Sequence, residues 1–175
     1  NEQGYIEKGY ENLLLQSNNF DTTWGIAAAG TATGGQAGYD GTNDAWSITR
    51  SAGGSLLISQ SISLSGVNTY SLYIKVNTSN GVAIAFGGPS EIAFFNISNT
   101  SQTSAVSSTG LIDSNQTYVG NDFYKISITS NTTASILRLY ILNSDGSNFD
   151  VNGGTHIIQD AMLNQGLVAY PYIET

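Results

Sequence analysis

Apolar and polar residues alternate with a period of two along much of this chain. In Thr69–Asn77 (TYSLYIKVN), Tyr70, Leu72, Ile74 and Val76 fall on one side, and Ser71, Tyr73, Lys75 and Asn77 on the other. Phe123–Thr129 (FYKISIT) sets Tyr124, Ile126 and Ile128 against Phe123, Lys125 and Ser127. Ser135–Asn143 (SILRLYILN) sets Leu137, Leu139 and Ile141 against Arg138 and Tyr140. Successive side chains of a strand point to opposite faces, so the alternation predicts half-buried strands. Further strands are expected at 12–16 (NLLLQ), 45–51, 55–63, 81–87, 91–97 and 155–163. Between them lie YDGTND, GGPS, NSDGSN and VNGG, rich in residues that tolerate turn geometry. No helical periodicity competes with this pattern, and short strands joined by polar turns read as an all-β sandwich.

Composition narrows the picture. The chain has 175 residues, enough for one domain with a sizeable core. We take residues 12–175 as that domain and residues 1–11 as a lead-in from a preceding one. Only 10% of residues are charged, against a usual quarter, yet ten Tyr, six Phe and two Trp mark a folded chain. Five basic against 13 acidic residues leave a net charge of −8, which opposes nucleic acid because phosphate binding depends on Lys and Arg. It equally opposes anionic membranes, and no apolar run approaches the ~20 residues that a membrane-spanning helix needs. With no cysteine, disulfides and thiolate metal sites are excluded.

Catalytic machinery is thin. His156, the one histidine, sits in the strand-like THIIQDAML with no nucleophile motif beside it, so it is read as structural or surface-exposed. The acids lie mostly in turns, and no enzyme is expected. Carboxylates, Asn side chains and backbone carbonyls in Tyr39–Asp44 and 144–150 are ligand types that Ca²⁺ accepts, although neither segment completes an EF-hand loop. Sugars are bound by aromatic faces and by polar groups that fix hydroxyls. Tyr73, Lys75, Lys125, Arg138 and Tyr140 all point outward on the three clearest strands, and three of the five bases are among them. If these strands share a sheet, its outer face is a glycan-binding surface; the plainer reading is an ordinary solvated face. Trp46 shares phase with Ile48 and belongs to the core, whereas Trp24 follows a polar turn and either plugs the end of the sandwich or faces solvent as a candidate platform for a sugar ring.

The ordered phrases ENLLLQSNNFDTTWG, YSLYIKV, NDFYKISIT and THIIQDAMLNQGLVAYPYIET resemble the jelly-roll, carbohydrate-binding-module-like domains of bacteriophage tail and virion proteins. More distantly, the chain is similar to modules appended to polysaccharide-degrading enzymes, in which a structural calcium joins the two chain ends. The resemblance implies a jelly-roll β-sandwich of two antiparallel sheets. It implies a non-catalytic module that binds polysaccharide or cell-surface glycan, in a virion or extracellular, with a homotrimer as the assembly of a virion fibre. By the same resemblance a Ca²⁺ ion would be held by Asp21, Asp40, Asp44 and Asp160. Two alternatives stay open: a purely structural virion domain for decoration or trimerisation, and an accessory module of a secreted polysaccharidase.

Overall fold

The computed structural model describes residues 10–28, 30–78, 81–87, 91–97, 104–106, 110–142, 149 and 152–175. Among these residues twelve strands form two six-stranded antiparallel sheets, a jelly-roll β-sandwich. Sheet A runs β1 (Gly25–Ile26), β4 (Leu56–Leu64), β11 (Ala134–Leu142), β6 (Gly81–Phe86), β7 (Ile92–Asn96), β8 (Ser104–Val106). Sheet B runs β2 (Gly30–Gln36), β3 (Ala45–Arg50), β12 (Gly154–Gln165), β5 (Val67–Val76), β10 (Phe123–Asn131), β9 (Leu111–Gly120).

The period-two residues do what their phase requires. Tyr70, Leu72 and Ile74 of β5, Ile126 and Ile128 of β10, and Leu137, Leu139 and Ile141 of β11 are fully buried between the sheets. On β6 and β7 both faces are buried. Ala83, Ala85, Ile92, Phe94 and Leu142 form a second apolar cluster on the outer face of sheet A, with Tyr140 and Phe149 packed against it. That explains why β6 reads as an unbroken apolar run.

Two expectations need correcting. Asn12–Gln16 forms no strand; Leu13 N–H donates to the Leu163 carbonyl at 2.7 Å, and at Gln16 the backbone turns to a φ of 48°, which ends any extended run. Phe123 stands on an outer face as expected but is only 1% exposed, because the ring of Tyr39 packs edge-on against it at 6.3 Å. The predicted turn NSDGSN lies outside the described residues.

Strand β12 carries the main irregularity. Its pairing with β5 passes from Gln159↔Tyr73 to Met162↔Ser71, three residues against two, so one extra residue is inserted. The bulge falls at Asp160, whose φ is 53°. A bulge reverses the phase of the strand beyond it, which is how Ile158 and Leu163, an odd number of positions apart, both reach the core.

Tyr70 is a polar anomaly in the core: it is fully buried against Phe86, and among the described residues its hydroxyl has no hydrogen-bond partner. A buried hydroxyl without a partner is destabilising. Tyr70→Phe is expected to raise stability by about 1 kcal/mol, roughly 2–4 °C in Tm for a domain of this size. A loss of stability in thermal unfolding would show instead that a buried water holds the hydroxyl.

Candidate functional site

The outer face of sheet B is built from cross-strand rungs. Tyr73 pairs with Lys125, Ser71 with Ser127 and Thr69 with Thr129 across β5 and β10. Lys125 continues to Thr117, Ser127 to Asn115 and Thr129 to Asp113 across β10 and β9. Two segments lie over this face. At one end the loop 37–44 brings the Tyr39 ring onto Tyr73, stacked at 3.8 Å and 4°. At the other, the C-terminal segment 166–170 crosses the strands: Thr69 Oγ1 donates to the Gly166 carbonyl at 2.8 Å, Asn164 Nδ2 to Val168 at 2.9 Å, and Lys125 Nζ to Tyr170 at 3.0 Å.

Between the C-terminal segment and strands β9 and β10 an open trough remains, a cavity of about 240 Å³. Asp113, Asn115 and Thr117 line it from β9, Lys125, Ser127 and Thr129 from β10, and Leu167, Val168 and Ala169 form an aliphatic wall. Leu167 and Val168 are 60% and 58% exposed. Short hydrogen-bonding side chains on a rigid sheet, facing an apolar wall, suit a ligand that is polar at its edges and apolar on its faces. A second cavity of about 380 Å³ lies at the other end of the sheet, among Ala37, Gly38, Thr42, Lys75, Asp122 and Phe123.

The residues predicted to share one face are divided. Tyr73, Lys75 and Lys125 stand together on sheet B, but Arg138 and Tyr140 belong to β11 in the opposite sheet. There Arg138 Nη1 donates to Tyr140 Oη at 3.3 Å, and Tyr140 packs against Phe149. Tyr73 is no free platform, because Tyr39 covers one face of its ring. Lys75 pairs with Asp122 at 2.9 Å. Trp24 is corrected outright: it is 4% exposed, packs on Phe20 at 5.1 Å, and its indole N–H donates to the Gln16 carbonyl. Trp46, expected in the core, is half-buried against it. Sequence reasoning missed Asn115, Thr117, Ser127 and the wall at 167–169. The alternation of Lys125, Ser127 and Thr129 was a usable signal for the trough, whereas β9 offered almost no apolar rhythm to place its side chains.

The predicted metal ligands separate similarly. Asp40 and Asp44 converge on one point through their Oδ1 atoms, but an amide occupies it: Gln159 Nε2 donates to Asp44 at 2.7 Å and to Asp40 at 3.3 Å. Thr42 Oγ1 donates to Asp40 at 2.7 Å and also contacts Asp44. Asp160 stands in the adjacent bulge, 5% exposed, accepting from Tyr39 Oη at 3.0 Å. Asp21 is exposed. Among the described residues no three acidic or histidine side chains are spaced to hold an ion, and between Asp40 and Asp44 the Gln159 amide stands where an ion would.

Electrostatics follow burial. Burial pushes the Asp160 carboxyl up to about 6; the Tyr39 hydroxyl opposes this, and the negative Asp44, Asp40 and Glu174 add to it. Burial also holds His156 down at about 4, so it is neutral, and at 0% exposure it is not at the surface, one of the two places expected for it. Thr42 keeps Asp40 below the usual carboxylate range.

No family model and no curated protein matches the sequence. Among solved structures, the enzymatically active domain of tailspike protein 4 of bacteriophage CBA120 is similar at 14% identity and a TM-score of 0.49. The match covers 88% of this chain and 21% of that one. The CBM22-1–GH10 modules of a Clostridium thermocellum xylanase, complexed with xylohexaose, are similar at 13% identity and a TM-score of 0.46, over 90% of this chain and 28% of that one. TmCBM61, in complex with β-1,4-galactotriose, is similar at 12% identity and a TM-score of 0.39, over 89% and 99%. The chain thus spans about a fifth of the tailspike domain and 28% of the xylanase modules. Identities this low carry no information about ligands.

Asp160 and His156 titrate with opposite consequences. The folded pKa of Asp160, about 6, lies above its ordinary 3.8, so the folded state holds the proton more tightly and stability rises as pH falls from 6 toward 4. The folded pKa of His156, about 4, lies below 6.5, so the unfolded state holds that proton more tightly and stability falls over nearly the same window. The two slopes offset in the native protein. Asp160→Asn keeps the acceptor for Tyr39 and suits a positive φ. It is expected to raise Tm at pH 7 by a few degrees, on the order of a 1 kcal/mol gain, and to make Tm fall more steeply than wild type between pH 6.5 and 4. Parallel Tm–pH curves for variant and wild type would show that Asp160 does not titrate there.

Proposed function

We propose that this chain is a non-catalytic glycan-binding module of a virion or other extracellular protein, and that the trough on sheet B holds the saccharide. One observation carries the reading: the trough unites three rungs of hydrogen-bonding side chains with the aliphatic wall Leu167–Ala169. Hydroxyls of a sugar edge meet Asn115, Thr117 and Ser127, while ring C–H groups lie on the wall. The rungs are backbone-paired on both sides of β10, so binding orders little that is not already ordered.

The non-catalytic part of the proposal rests on where the titratable groups stand. Asp160 has the pKa that a general acid needs, but it lines neither cavity and is enclosed by Tyr39 and the N–H-accepting side chain of Asn18. His156 is buried and neutral. Placement in a virion, and trimerisation there, rest on the resemblance of the sequence phrases and belong to the same proposal; sedimentation of the purified chain tests the trimer. Calcium enters only as a stiffener of the loop 37–44, since an ion there has to displace the Gln159 amide from Asp40 and Asp44. A rise in Tm when calcium is added to EDTA-treated protein, absent in Asp40→Asn, establishes it; an unchanged Tm removes it.

The binding experiment is isothermal titration with soluble neutral and acidic oligosaccharides, using wild type, Asn115→Ala and a control at an exposed site remote from the trough, Ser63→Ala. The expected result is binding to at least one saccharide that weakens about five- to tenfold in Asn115→Ala, the worth of one hydrogen bond, and is unchanged in Ser63→Ala. Binding that ignores Asn115 moves the site elsewhere, and the absence of any binding removes the proposal.

A further inference from the structure

Four of the five basic residues are described, and each has found a different partner. Lys75 forms an ion pair with Asp122 at 2.9 Å. Arg50 donates from Nη1 to the Leu56 carbonyl at 3.0 Å, and Arg138 from Nη1 to Tyr140 Oη. Lys125 lines the trough, and its ammonium meets the Tyr170 carbonyl at 3.0 Å and lies 5.6 Å from the Tyr73 ring centroid. Among the described residues no carboxylate pairs with it, although the chain has 13 acids. An ammonium has three donors, and a carbonyl and a ring face leave part of this one unused beside the cavity.

We propose that the trough selects a saccharide bearing a carboxylate at one position, a uronic-acid-containing oligosaccharide, and that Lys125 is the residue that decides it. This deepens the glycan-binding reading and rests on it. Removing an ammonium from water is costly unless an anion replaces the water, and burial alone depresses the pKa of Lys125. A carboxylate in the trough restores what the water supplied, through a charge-assisted hydrogen bond. The uncharged rungs Asn115–Ser127 and Thr117 then take hydroxyls, and the wall takes the ring.

The trough also limits how many carboxylates it accepts. Asp113 lines the far end, opposite Thr129, four residues from Lys125 along the strands and so on the order of 13 Å away. A polymer with a carboxylate on every sugar brings one of them toward Asp113 as another meets Lys125. The preferred ligand therefore alternates acidic and neutral sugars, or carries its acid on a side branch.

The test is titration with three saccharides: hyaluronan oligosaccharides, which alternate acidic and neutral sugars, glucuronoxylan oligosaccharides, which branch, and oligogalacturonate, which is charged throughout. Each is paired with its carboxyl-reduced derivative, and neutral xylo- and galacto-oligosaccharides are run alongside. Wild type is expected to bind an alternating or branched uronate at least tenfold more tightly than its reduced derivative. Lys125→Gln is expected to lose about ten- to a hundredfold for the uronate and little for the reduced form, with Lys125→Arg recovering most of it. Salt is expected to weaken uronate binding in wild type and not in Lys125→Gln. Thermal melts confirm that both variants fold. Equal binding of intact and reduced sugars, a preference for neutral or sulfated ones alone, or indifference to Lys125→Gln overturns the inference and leaves the glycan-binding reading standing. Failure of every saccharide, charged and neutral, removes both.

Discussion

One extra residue in the last strand organises this molecule. With strict alternation, β12 can bury Ile158 or Leu163 but not both, and whichever half lost its phase would expose its apolar residues. The bulge at Asp160 keeps both inside and frees two backbone N–H groups from the ladder. The N-terminal segment takes both: Asn18 Oδ1 accepts from Asp160 N–H at 3.0 Å, and the Ser17 carbonyl from Ala161 N–H. The bulge also aims Asp160 at Tyr39, whose ring lies flat on Tyr73. From one insertion in register follow the docking of the chain start, the position of the loop 37–44 and the loss of Tyr73 as an open platform.

The same economy shapes the outer face of sheet B. Thr69, Ser71, Thr129, Gln159 and Asn164 are polar yet no more than 3% exposed, because the loop at one end and the C-terminal segment at the other lie across them. A polar face covered by chain calls for a partner for each group, and of these five only the Ser71 hydroxyl has none among the described residues. Asn164 donates to the Gln165 and Val168 carbonyls and accepts from Tyr170 N–H. Gln159 accepts from Tyr39 N–H and donates toward Asp40 and Asp44. The trough lies beside the C-terminal cover, where the side chains of β9 and β10 stay open and Leu167, Val168 and Ala169 form its wall.

How much of this was legible follows strand position. The eight strands visible in the alternation, β3 to β7 and β10 to β12, are the eight interior strands of the two sheets, each paired on both sides. The four that were not visible, β1, β2, β8 and β9, are the four edges. GTATGGQ and LIDSNQTYVG carry little apolar rhythm because an edge has one neighbour and faces water, where polar residues also discourage pairing with another chain. The site inherits this blindness: Lys125 and Ser127, on interior β10, could be placed by phase, but Asn115 and Thr117 sit on edge β9. Phase also says nothing of which sheet a strand joins, so Arg138 and Tyr140 were grouped with Tyr73 on a face they do not share. Trp24 could not be settled for a third reason, since it lies in no regular element and tertiary packing on Phe20 decides its burial.

Composition acquires a physical meaning from these contacts. A chain so poor in charge and so rich in Asn, Ser and Thr would pass for a linker if residue types alone were weighed. Yet its amide side chains stand where ladder hydrogen bonds are interrupted. Asn12 makes four bonds, donating to the Ala161 and Ile173 carbonyls and accepting from Leu14 and Leu163 N–H. Gln60 does the same for Leu15, accepting from its N–H and donating to its carbonyl, as a neighbouring strand would. An amide has a donor and an acceptor in fixed geometry and carries no charge to desolvate, so it can replace a missing backbone partner inside the fold where Lys or Glu cannot. Such substitutes hold both chain ends onto β12 without a disulfide. Because amides take up this structural work, Lys125 stands half-buried with a carbonyl and a ring face as its partners and no carboxylate beside it among the described residues.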